Sequence, residues 1–263
     1  MLAFIGLVLT LWVAAAAASG PTVPPVDTSW PGAVSPNGGV HYMAFVRPHA
    51  TLVKAVRTRN GDVLTRRMIA GRFGVPAPAF DGLGGLSADG GTLVLEQLDR
   101  PSLPRPSSRF VALDTRRLLV RRSFVLRGDY SFDALSPHGT LLYLTEHIDQ
   151  IRYRVRVLDL HSGRLLRRSV ADYRDGGTTM RGWPAARATR AGWAFTLYVG
   201  GTRTFVHALD TIHARAVCIF LPWQTEGTLY SGTLTLRGEL LRARLFERQF
   251  QPLEIDTQTL RVR

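Results

Sequence analysis

The sequence predicts an all-β protein, a β-propeller of about five four-stranded blades preceded by an N-terminal signal or anchor helix. Three observations predict it: a Ser/Thr-x-x-Gly turn that recurs five times, an aspartate turn that follows most of these at a similar interval, and an apolar leader before the first repeat.

The leader comes first in the chain. Residues 1–18 are apolar or small throughout except for Thr10, and no charged side chain occurs before Asp27. An apolar stretch followed by Ala14 to Ala18, Ser19 and Gly20 has the form of a signal peptide with a cleavage site after Ala18. The expected Lys or Arg near the start is absent, so retention of residues 2–18 as an anchor stays open, although about 17 apolar residues is short for a membrane span. The expected organisation is a signal or anchor over 1–20, a Pro-rich linker over 21–30 and a propeller domain over 31–263. Its location is then secreted or cell-envelope.

The turns are Ser35-Pro-Asn-Gly38, Ser87-Ala-Asp-Gly90, Ser136-Pro-His-Gly139, Thr189-Arg-Ala-Gly192 and the weaker Thr235-Leu-Arg-Gly238. Glycine closes each because a tight reversal there needs positive φ, and Pro, Asn or Asp pre-sets the bend. Apolar, β-rich runs follow at 40–46, 92–96, 141–145, 194–199 and 240–246. The second landmark, at Asp114, Asp159, Asp210 and Asp256, closes a further strand, and Arg57-Thr58 stands there in the first repeat. An aspartate at that place can accept backbone N–H groups of the next turn. Two hairpins per repeat make four strands, the size of a propeller blade, with repeats starting near residues 31, 82, 131, 185 and 230.

A Ser-Pro-Asp-Gly-like turn paired with a Leu-Asp-Thr turn some 22 residues later resembles the YVTN-type and TolB-type β-propeller repeats of bacterial extracytoplasmic proteins. The resemblance runs over residues 30–263. It implies the fold but little about function, because binding scaffolds, lactonases and quinoproteins share such repeats.

In propellers of this kind the strand before the Ser-x-x-Gly turn is innermost, which here means residues 32–34, 83–86, 132–135, 185–188 and 231–234. Small residues dominate these strands, as close approach at a narrow axis requires. Asp133 and Arg187, in adjacent repeats, are the exceptions and could face each other across the channel, where a structural ion pair or solvated end residues are expected ahead of a ligand site.

Chemistry is sparsely signalled. Nucleophile-elbow, zinc-protease, phosphate-loop and EF-hand patterns are absent, as is any nucleic-acid docking motif. The chain carries a net charge of +13 with Lys54 as its single lysine. Cys218 is the single cysteine, so an intramolecular disulfide and a multi-cysteine metal site are excluded, and its apolar setting predicts an inert thiol. Ligand contacts are expected from long loops of one face, at residues 72–73, 97–108, 129–130, 173–183 and 223–230. The candidates are Arg72, Tyr130, Arg174, Arg181, Trp183, Trp223 and Tyr230, since Arg and aromatic side chains dominate binding energy.

The expected function is a non-catalytic binding or scaffold propeller without a cofactor. Its partner is a protein or an anionic envelope polymer, with no specific nucleic acid; membrane contact is only through the N-terminal segment, and the chain is a monomer. The alternative is a lactonase-like hydrolase with a divalent cation held by Asp133, Glu96 and Glu146.

Overall fold

The computed structural model describes residues 26–27, 32–78, 84–98, 104–149, 152–190 and 192–263. The leader and most of the linker lie outside the described residues. No described helix is long and apolar enough to cross a membrane.

The described chain is all β. A two-residue strand, β1 (Val26–Asp27), comes first. Blade 1 follows as β2 (Ala33–Val34), β3 (Val40–Val46), β4 (Ala50–Arg57) and β5 (Val63–Ala70). Blade 2 is β6 (Phe73–Pro76), β7 (Thr92–Gln97), β8 (Ser107–Asp114) and β9 (Val120–Arg127). Blade 3 is β10 (Tyr130–Leu135), β11 (Leu141–His147), β12 (Arg152–Asp159) and β13 (Met180–Arg181). Blade 4 is β14 (Trp183–Arg190), β15 (Trp193–Val199), β16 (Phe205–Asp210) and β17 (Arg215–Phe220). Blade 5 is β18 (Gly232–Arg237), β19 (Leu240–Leu245), β20 (Leu253–Asp256) and β21 (Arg261–Val262). Each blade is an antiparallel meander in chain order, and β1 adds to the inner edge of blade 2, Val26 opposite Pro76 and Asp27 opposite Val75.

Turn chemistry explains the repeat. All five turn glycines, Gly38, Gly90, Gly139, Gly192 and Gly238, have positive φ. The aspartates do what their position predicts: Asp114 accepts the N–H of Arg116 and Arg117, Asp210 those of Ile212 and His213, and Asp256 those of Gln258 and Thr259. The two landmarks are also tied to each other. In every blade the residue after the second landmark donates its N–H to the segment just past the first: Thr58 to Gly39, Thr115 to Gly91, Leu160 to Thr140, Thr211 to Gly192 and Thr257 to Glu239. Both turns therefore stack on one face of every blade.

The same turn stores a little strain. Its fifth residue is left-handed in each blade, supplied by Gly61 and Gly163 in blades 1 and 3 but by Leu118, Ala214 and Leu260 in the others. Leu118 and Leu260 are buried, so core packing offsets the about 1–2 kcal/mol that a side chain costs there.

These aspartates make stability sensitive to acid. Asp114 is held below the ordinary aspartate value of 3.8 by its hydrogen bond from Arg121, and Asp159 and Asp256 by backbone N–H donors at Ser162 and Thr259. For Asp210 burial pushes the other way, but donors at His213 and Arg215 win. A carboxylate whose folded pKa is depressed adds stability above its unfolded pKa and loses it as pH falls through the folded one. The melting temperature is expected to hold steady from neutral pH to about 4 and to drop below it; an unchanged value at pH 2 would show that the turns do not bear load.

The core is built between blades. One apolar cluster joins blades 1 and 2 around Val53, Leu93 and Leu95; a second joins 2 and 3 around Phe110 and Leu142. A third joins 3 and 4 around Tyr143, Tyr153 and Tyr198, and a fourth joins 4 and 5 around Phe195, Leu241 and Ile255. No cluster among the described residues joins blade 5 to blade 1.

The second blade departs from expectation. Its innermost strand begins at Phe73 rather than near residue 82, and in the described part of the predicted 83–86 segment Leu86 forms an isolated bridge with β7, at Leu93. The strand is interrupted: Gly84 donates back to the Pro76 carbonyl, and the Gly85 carbonyl accepts the Val94 N–H of β7 at 2.6 Å, ahead of the Ser87 turn. Pro76 has no N–H to continue a ladder, which is the physical reason for the break.

Candidate functional site

Glu96, at the end of β7, and Asp129, just before β10, are buried at the loop face between blades 2 and 3. Arg105 fills the space between them. Its Nε lies 2.7 Å from Asp129 Oδ1 and its Nη1 lies 3.3 Å from Glu96 Oε1, while its Nη2 donates to the Tyr130 carbonyl. Glu96 Oε2 accepts the Phe132 N–H at 2.9 Å. Arg105 went unremarked in the sequence, although Pro104 and Pro106 on either side mark a backbone held in one conformation.

Glu146, at the outer end of β11, accepts Arg154 Nε at 2.7 Å and Arg156 Nη1 at 2.8 Å. Burial alone would raise its pKa, but the two arginines bring it below the ordinary glutamate value. Tyr130 is buried beneath, donating its hydroxyl to Glu146 Oε1 at 3.2 Å.

Asp133 and Arg187 meet directly. Arg187 Nη1 lies 2.8 Å from Asp133 Oδ1 and 2.8 Å from Thr196 Oγ1, in a buried bridge between blades 3 and 4. Its Nη2 donates to the Asp133 carbonyl at 2.5 Å. All three carboxylates named for a divalent cation are thus engaged by guanidinium groups, and no three His, Cys, Asp or Glu side chains converge among the described residues. His207 is buried edge-on to Tyr198, and burial lowers its pKa. Burial pushes the half-buried Cys218 thiol up to about 12, as expected of an inert cysteine.

Two of the seven predicted ligand residues share a cleft. Arg181 and Trp183, at the junction of β13 and β14, line a space of about 210 Å³ with Gly200, Gly201, Thr202, Glu226 and Gly227. Glycine makes room for the indole: a Cβ on Gly200 would lie 1.9 Å from two ring atoms of Trp183, and Gly200 has φ +77°. Trp183 Nε1 is buried and finds no acceptor. Arg181 is exposed, and its guanidinium makes no hydrogen bond or ion pair with a described residue.

The other candidates lie apart from this cleft. Trp223 is buried in the blade 4–blade 5 core, donating Nε1 to the Gln251 carbonyl at 3.2 Å, and Tyr230 meets Phe250 edge-on at 5.1 Å. Both are packing residues. Arg174 belongs to a loop that crosses the outer strand of blade 4, where Asp172 Oδ2 accepts the Cys218 N–H at 2.7 Å and Tyr173 N–H donates to the Ala216 carbonyl. Arg174 Nη2 then reaches the Leu260 carbonyl of blade 5 at 3.2 Å, so the loop straps three blades together along their rims. Arg72 is exposed just before β6, where its carbonyl accepts the Leu98 N–H.

No family model matches the chain, and no curated protein matches it in sequence. Solved structures do. The chain is similar to the Dos1 propeller, with 12% identity and a TM-score of 0.51 over 89% of this chain and 56% of that one. It is similar to hydrazine synthase of Kuenenia stuttgartiensis, with 15% identity and a TM-score of 0.50 over 85% of this chain and 70% of that one. A putative TolB from Agrobacterium tumefaciens matches at 12% identity and a TM-score of 0.45 over 90% of this chain and 80% of that one. The chain spans 38% of the length of a puromycin hydrolase that it also matches. At these identities the likeness shows fold alone: this is a β-propeller protein with TolB among its structural neighbours.

Proposed function

We propose that this propeller is a non-catalytic binding or scaffold protein acting outside the cytoplasmic membrane, and that it holds its partner at the Arg181–Trp183 cleft of the loop face. One observation carries the reading: Asp133, Glu96 and Glu146 are each engaged by arginine, whereas the exposed Arg181 guanidinium is uncommitted among the described residues. An exposed guanidinium beside a half-buried indole offers a charge and a flat apolar face within one cleft, the combination that concentrates binding energy. The extracytoplasmic location rests on the leader pattern of residues 1–20.

The test is capture of envelope fractions by the purified protein, quantified for wild type, Arg181→Ala and Trp183→Ala. Each substitution is expected to weaken capture about tenfold or more, with an unchanged melting temperature for Arg181→Ala. Capture indifferent to both would end this reading. A chelator is expected to leave the melting temperature unchanged, and a stoichiometric cation lost to chelator would favour the hydrolase instead.

A further inference from the structure

Blade 5 differs from the interior blades in having one wet face. Leu234, Leu241, Ala243, Leu245 and Ile255 point to blade 4 and are buried, while Thr235, Arg237, Arg242, Arg244 and Phe246 alternate with them and are exposed. Such strict alternation is the mark of a sheet with one face in solvent. Among the described residues no apolar cluster, hydrogen bond or ion pair joins this face to blade 1.

The exposed face is ordered by its register. Thr233 stands opposite Arg244 and Thr235 opposite Arg242, with Arg237 continuing the row opposite Leu240. Same-face residues on a strand stand about 7 Å apart, so Arg242 and Arg244 present two guanidinium groups at that interval, each beside a threonine hydroxyl. Several arginines elsewhere are committed: Arg105, Arg154, Arg156, Arg187, Arg190 and Arg215 all bind carboxylates of the chain. The guanidinium groups of Arg237, Arg242 and Arg244 make no hydrogen bond or ion pair with a described residue, and the Glu254 side chain, opposite Arg242 on β20, forms no ion pair with it.

A polar outer face is what any terminal repeat needs for solubility, and charges of either sign, mixed, would serve that end. Uncommitted guanidinium groups spaced along one strand, with Glu254 beside Arg242, do more. The guanidinium fork binds phosphate through two parallel N–H groups, and a neighbouring hydroxyl adds a third donor. We propose that the outer face of blade 5 binds a linear phosphodiester polymer, laid along β19 with successive phosphates on Arg242 and Arg244. This face is distinct from the Arg181–Trp183 cleft, and either site can fail without the other.

The experiment is fluorescence anisotropy of a labelled glycerol-phosphate oligomer at several salt concentrations. Wild-type protein is expected to bind with an affinity that falls as salt rises. Arg242→Glu/Arg244→Glu is expected to lose at least about tenfold in affinity and to lower the salt slope by roughly 1.5. Arg66→Glu/Arg67→Glu, the same charge change at exposed positions of β5 in blade 1, is expected to change affinity by less than about threefold, since only diffuse attraction is lost there. Equal losses in both double variants would reduce the effect to net charge and overturn the proposal, as would a wild-type protein that fails to bind at low salt. Arg242→Gln/Arg244→Gln repeats the test without charge reversal should the glutamate variant melt early.

Discussion

Replacement of Arg105 by methionine is expected to destabilise the protein by about 3–5 kcal/mol, because it takes a buried guanidinium away from two buried carboxylates. Glu96 and Asp129 have side chains only 2–3% exposed, and Arg105 is the cation between them. That loss is a large share of the about 5–15 kcal/mol that holds a typical domain together. Urea denaturation reads it directly. The control is Arg152→Met, whose partner Asp149 is half exposed, and a change within about 0.5 kcal/mol is expected there. Adding Glu96→Gln and Asp129→Asn to Arg105→Met removes the stranded charges, and most of the lost stability is expected to return. A cost below about 1 kcal/mol for Arg105→Met would mean that water reaches these carboxylates once the guanidinium is gone.

Gly200→Val is expected to cost about 2–5 kcal/mol and to abolish capture at the loop-face cleft together. Two independent penalties meet at this residue. A β-branched side chain is strained at φ +77°, and its Cβ would overlap the Trp183 ring at 1.9 Å and crowd the Thr228 carbonyl at 3.0 Å. The indole must leave its seat, and the cleft that it walls changes shape. Gly200 is also held through its backbone, its N–H donating to Thr225 Oγ1 at 2.9 Å and its carbonyl accepting the Gly227 N–H at 3.0 Å. The strand turn therefore cannot swing away to relieve the clash. Gly227→Ala is the paired control: no atom lies within 4 Å of its Cβ, so only backbone strain is added at φ +72°. Capture that survives Gly200→Val would place the partner elsewhere.

The candidate site was half legible before folding. Arg181 and Trp183 stand two residues apart, so a loop that exposes one presents the other, and the sequence places both in one segment. The same reasoning put Trp223 and Tyr230 on the binding face, where their aromatic character instead seats Phe250 in the blade 4–blade 5 core. An aromatic side chain in a long loop serves packing or binding equally well, and only its neighbours distinguish the two. Gly200 and Gly201 were not seen at all, because what gives them a role is a ring brought from another strand.

By itself the sequence determined the blade repeat and its turn chemistry. Positive φ at the five turn glycines and the aspartates that cap the following turns are bonds within a few residues, and side-chain type decides them locally. Tertiary structure alone decided where blade 2 begins, that β1 pairs with β6, that Arg105 sits between Glu96 and Asp129, and that blade 5 turns an arginine row to solvent. Each of these depends on which distant strand lies alongside, and strand pairing is set by burial summed over whole faces, which no short stretch of residues contains.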